Sequence, residues 1–123
     1  MEFCTAINCM DGRTQLPVIN FLKDRFNAQY VDVVTEPGTN LILGKQTDRR
    51  LVESIFNRVD ISLNHHHSKG LAVVGHYDCA GNPAEKSEQI SHLKDAVTFL
   101  EDNYPKTEII ALWVDENWNV NEI

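Results

Sequence analysis

Residues Leu71-Ala72-Val73-Val74 are four consecutive apolar side chains, and Gly75 halts them before His76-Tyr77-Asp78-Cys79. So short an unbroken run has no polar face, and reads as a strand covered on both sides. A strand of that kind needs helices above and below a mostly parallel sheet. The flanking chain supplies candidates. Upstream, Leu51, Ile55, Val59 and Leu63 recur every four residues, which predicts a helix over 48–64. His65 to Gly70 then closes it, with cations near its carboxyl end and Gly70 as the stop. Downstream, Pro83 and Ala84 open a helix that reaches residue 103 before Pro105, with Ile90, Leu93, Val97 and Leu100 on its inner face.

The remaining segments extend the alternation. Residues 2–8 read as a first strand with Phe3 and Ile7 turned to the core, and residues 9–13 as a loop. Leu16, Ile19, Phe21, Leu22 and Phe26 predict a helix over 15–27, with Pro17 tolerated in its first turn. Residues 30–35 are rich in β-branched side chains and form a second strand, followed by a turn at 36–40. Residues 108–114 form a further strand, and Asp115-Glu116-Asn117 folds the chain back into an antiparallel edge at 118–123. The sum is an α/β, doubly wound architecture with a mostly parallel central sheet of four strands, an antiparallel edge strand and helices on both faces. With no internal repeat, low-complexity tract or linker, residues 1–123 are expected to form one domain.

The net charge of −7 argues against a nucleic-acid binder and disfavours an anionic membrane surface, since both require a basic face. No apolar run nears the ~20 residues that span a bilayer. Met1-Glu2-Phe3-Cys4 lacks the basic start and long apolar stretch of a signal peptide, so the expected compartment is the cytosol. Three cysteines form no disulfide framework, and in a reducing compartment they are structural, metal-binding or reactive. No glycine-rich loop follows the first strand, which argues against a nucleotide fold.

Chemistry concentrates at two strand ends. The first strand leads into Cys9-x-Asp11-x-Arg13, and the central strand into His76-x-x-Cys79. If the two strands are neighbours and parallel, both loops emerge at one edge of the sheet, where α/β folds place their ligands. Cys9, His76 and Cys79 then supply three nitrogen and sulfur ligands, the number a catalytic zinc site uses while one position stays open. Two thiolates neutralise the ion. A carboxylate added to them makes the centre an anion that could not bind water there, so two placements of Asp11 stay open: on the ion, or held off it by a bidentate pair with Arg13.

These residues resemble a known signature. Cys9-Met10-Asp11-Gly12-Arg13 with Gly75-His76-Tyr77-Asp78-Cys79 is similar to the zinc-site motifs of the β-class carbonic anhydrases. The likeness extends through Gly38-Thr39-Asn40 to the closing hairpin from Trp113 to Ile123. It implies zinc on Cys9, His76 and Cys79, with Asp11 and Arg13 as the catalytic dyad. It implies reversible hydration of carbon dioxide to bicarbonate by zinc-bound hydroxide, and a homodimer. Two departures stand out: the family's pocket glutamine ahead of the cysteine motif has no counterpart here, and Ala80-Gly81 replaces a glycine directly after Cys79. The alternatives are a non-catalytic zinc-binding module of the same fold, or a metal-free protein in which Cys9 and Cys79 form a reversible disulfide. Cys4, Trp113, Trp118 and Tyr104 read as core or interface side chains, Asp78 as a loop cap or solvated carboxylate. His65 to His67 read as a solvated helix end.

Overall fold

In the computed structural model, which describes residues 2–123, β1 (Phe3–Cys9) leads through a 3-10 turn (Gly12–Thr14) into α1 (Gln15–Arg25) and β2 (Tyr30–Glu36). Two helices follow, α2 (Thr39–Lys45) and α3 (Arg49–His65), then β3 (Gly70–His76), α4 (Lys86–Asn103), β4 (Glu108–Val114) and β5 (Val120–Glu122). The sheet order is β2-β1-β3-β4-β5, with every pair parallel except the antiparallel β4–β5. This is the expected α/β architecture. Growth of the sheet reverses between β1 and β3, which makes the gap beyond their carboxyl ends a topological switch point. No helix among the described residues is long and apolar enough to cross a membrane.

Two cores sandwich the sheet. On one face Ile7, Leu71, Val73 and Ala111 pack under Leu43, Ile55, Val59, Leu93 and Leu100 of α2, α3 and α4. On the other, Cys4, Ala6, Ala72, Val74 and Leu112 pack under Val18, Leu22 and Phe26. All seven residues of β3 are buried, as its unbroken apolarity predicts. Cys4 lies in the second core as expected, and burial pushes its thiol up to about 11.

Several boundaries differ from the sequence reading, each for a local reason. Cys9 ends β1 instead of opening a loop. The turn at 36–40 runs directly into α2, because Gly38 in the left-handed region (φ 70) redirects the chain into it. The buried stripe of α3 is Val52, Ile55, Val59 and Ser62, with Leu51 and Leu63 at its margins. Leu16 is exposed, and α1 buries Val18 and Leu22 instead. Residues 83–85 remain outside α4, whose first turn begins at Lys86.

The closure of α3 also corrects the reading of Gly70. His67 (φ 52) takes the left-handed position after the helix, and Ser68 donates its N–H to the Ser62 carbonyl. Gly70 opens β3, and a Cβ there would lie 2.3 Å from the Phe26 ring. All three histidines of the run are exposed, as expected, though His66 also has partners. His66 stacks on Phe3 at 4.2 Å and pairs through Nδ1 with Asp32 at 2.5 Å.

Candidate metal centre

The β1–β3 ladder runs Thr5↔Leu71, Ala6↔Ala72 and Ile7↔Val73 and stops there. Beyond that rung the strands leave room for side chains between them. Cys9 and His76 are the last residues of β1 and β3, and Cys79 follows on the loop. Their candidate ligand atoms all lie within 4.8 Å of one another, with the two sulfurs 3.9 Å apart. All three residues are buried.

The tautomer of His76 follows from its partner. Its Nδ1 lies 2.7 Å from the Tyr77 carbonyl, an acceptor only, so Nδ1 carries the proton and donates it. Nε2 is left with a bare lone pair, buried and without a hydrogen-bond partner. Such an atom is rare and destabilising in a folded interior unless something binds it. The sulfurs perturb each other in opposite directions. Hydrogen bonding with Cys79 pulls the Cys9 thiol well below its ordinary range against the opposing effect of burial. The Cys79 thiol is pushed up by the same contact and by its own burial. Burial lowers the His76 imidazole, but the Cys9 sulfur and the Tyr77 carbonyl outweigh it and leave it raised. Two sulfurs and one aprotic imidazole nitrogen form a soft, tetrahedral-type donor set.

Asp11 stands outside this cluster, turned to Arg13. Its Oδ1 accepts from the Arg13 backbone N–H at 2.9 Å and from Nε at 3.1 Å, and its Oδ2 from Nη2 at 2.7 Å. The Arg13 side chain holds the Asp11 carboxyl down at about 2. Gln15 donates Nε2 to the carbonyls of Cys9 and Asp11, both at 2.8 Å, which fixes the loop between β1 and α1. Asp78 is the solvated carboxylate expected, its side chain 69% exposed, and it also pairs with Arg13 Nη1 at 3.2 Å.

Beneath the centre lies a buried polar network that periodicity alone passed over. Gln89 donates Nε2 to the His76 carbonyl at 2.9 Å and to the Asn82 carbonyl at 3.1 Å. Asn40 Nδ2 reaches Gln89 Oε1 at 3.2 Å, while Asn82 Nδ2 reaches Asn40 Oδ1 at 3.2 Å and His92 Nδ1 at 3.0 Å. The network ties α2 and α4 to the loop that carries Cys79. Its sequence signal was Gln89 and His92, two polar residues three apart on the inner face of α4. A glycine pair closes the same region: a Cβ on Gly81 would meet the Pro37 carbonyl carbon at 2.4 Å.

A cleft of about 650 Å³ opens over the centre, bordered by Asp11, Arg13, Tyr77, Cys79, Gln89 and Trp113 among others. Cys79, Asp11 and Arg13 border it, whereas Cys9 and His76 do not.

The whole chain, residues 1–123, matches the profile of a family described as "Putative carbonic anhydrase". No curated protein matches it. Among solved structures, the fold is similar to a β-carbonic anhydrase from the filamentous ascomycete Sordaria macrospora, one of two described as tetrameric. The TM-score is 0.64 at 13% identity, over 99% of this chain and 80% of that one. The β-carbonic anhydrase CafA of the fungal pathogen Aspergillus fumigatus gives a TM-score of 0.59 at 12% identity, over 99% of this chain and 74% of that one.

Proposed function

The chain belongs to this "Putative carbonic anhydrase" family, and from that premise we propose that it is a zinc enzyme for the reversible hydration of carbon dioxide to bicarbonate. The observation that carries the reading is the convergence of Cys9, His76 and Cys79 within 4.8 Å, with Nε2 of His76 bare and buried between strand ends. Those three residues would hold the ion. Zinc suits them because thiolate and imidazole donors select it over magnesium or calcium. Once bound, it would supply Lewis acidity and acidify water at its open position.

The chain's own residues do the rest. Asp11, held near 2, is a carboxylate at every working pH. A group so acidic is a poor proton acceptor at neutral pH, so its role is to accept a hydrogen bond and orient the attacking oxygen. Arg13 keeps both Asp11 oxygens occupied and away from the ligand cluster. The cleft admits a small neutral substrate to Cys79 and Asp11 from one side.

The functional unit in this reading is a homodimer. Met10, Leu16 and Tyr77 are 59%, 70% and 49% exposed, and all three sit next to site-forming residues in the chain. In this reading these three exposed side chains would lie at the contact between the two copies.

Metal analysis of the purified protein paired with stopped-flow hydration tests the reading. One zinc per chain together with hydration that chelation abolishes is the expected result. Stoichiometric zinc without hydration from pH 7 to 9 would overturn the enzyme in favour of a non-catalytic zinc module. Metal-free protein carrying a Cys9–Cys79 disulfide would overturn both, a reading that the 3.9 Å sulfur contact favours next.

A further inference from the structure

We propose that Asp78 and Trp118 are positioning residues that clasp Arg13, so that its guanidinium, and through it the Asp11 carboxylate, is held in one place. The inference rests on the reading above of Arg13 as the residue that orients Asp11. An arginine whose side chain is 44% exposed ordinarily samples several rotamers. This one is held by Asp11, Asp78 and Trp118 together. Nη1 donates to Asp78 Oδ2 at 3.2 Å, Nη2 to the Asp78 carbonyl at 3.0 Å, and the guanidinium carbon lies 4.4 Å from the centre of the Trp118 ring.

The backbone gives an independent argument. Asp78 (φ 56) and Trp118 (φ 61) both occupy the left-handed region. Aspartate tolerates that conformation, whereas a bulky aromatic does so only when its surroundings impose it. The turn imposes it here. Trp118 donates its N–H to the Asp115 carbonyl at 2.9 Å, and Asp115 Oδ1 accepts from the N–H groups of Asn117 and Asn119 at 2.9 and 3.0 Å. A relaxed turn would serve a simple hairpin; this strained one delivers an indole to the face of Arg13. The two residues reach the same guanidinium from separate parts of the fold, one beside a ligand cysteine and the other in the β4–β5 hairpin.

Glycine accepts positive φ freely, so Asp78→Gly and Trp118→Gly remove the side chains without adding backbone strain. Two quantities are read in the zinc-loaded protein: solvent exchange of the Arg13 Nε–H by nitrogen-15 NMR, and kcat against KM for hydration. Each glycine variant should speed that exchange at least about tenfold and lower kcat about tenfold, with KM and zinc content held. Asp78→Asn, which keeps an acceptor, and Trp118→Phe, which keeps a ring, should recover part of both. If Trp118→Gly fails to fold, Asp78→Gly carries the test alone. Wild-type exchange in the glycine variants overturns the clasp, and so does a freed Arg13 with unchanged kcat in an active enzyme. If the wild type has no hydration activity but the variants still free Arg13, the clasp stands and the proposed reaction falls.

Discussion

The Nε2 atom of His76 would gain most from a bound ion, since its neighbours leave it buried with a lone pair and no donor. Leaving such a group unpaired costs about 1–3 kcal/mol. In the proposed zinc centre each of the three ligands is needed. Cys79→Ala should lose most of the metal on purification, read by metal analysis, and zinc should raise the melting temperature of the wild type but not of this variant. Cys9, Asp11, Arg13, His76 and Cys79 stood out in the sequence because their chemistry is compressed into two short segments at strand ends. Trp118 did not. Its approach to Arg13 depends on a left-handed turn that no pattern of apolar residues announces.

Among the elements, the segments that periodicity described poorly are those held by polar or backbone contacts. Helix α2 has seven residues, includes Gly44, and buries Thr39 and Asn40 beside Leu43, so no apolar stripe marks it. Helix α4 was legible along Leu93 and Leu100 but not at Gln89 and His92, where burial is satisfied by hydrogen bonds. Close backbone approach is equally silent in sequence. A methyl on Gly81 would collide with the backbone of Pro37 and Gly38, so Gly81→Ala should cost about 2–3 kcal/mol in urea unfolding. Gly12→Ala, with nothing within 4 Å, should stay within about 0.5 kcal/mol. The β4–β5 turn adds a pH dependence. Hydrogen bonds from the backbone N–H groups of Asn119 and Asn117 hold the Asp115 carboxyl below its ordinary value of 3.8. A depressed folded-state value stabilises above the ordinary one and is lost as pH falls through the depressed one. Asp115→Ala should therefore be less stable than wild type at pH 7, with the gap narrowing in thermal melts as acidity rises below 3.8.

At the scale of the molecule, the strands were readable because β3 is wholly buried and β1 and β4 nearly so, which leaves them runs of apolar residues. The order β2-β1-β3 was legible only as a condition, that the first and central strands lie side by side, and the structure meets it. The proposed dimer puts Leu16 at its interface, 70% exposed in the single chain. Leu16→Glu should shift sedimentation toward monomer while leaving the melting temperature of the single chain nearly unchanged. The switch between β1 and β3 has a further consequence for how such a protein comes to be. Cys9 is made early, yet the strand that carries its partner histidine must dock on the open edge of β1 before the sulfur has anything to share. A nascent chain that has reached only Lys69 owns a finished β1 and β2 but no means of keeping an ion. In the proposed zinc protein, metal capture would therefore mark the moment β3 joins β1, with β4 and β5 still to be added.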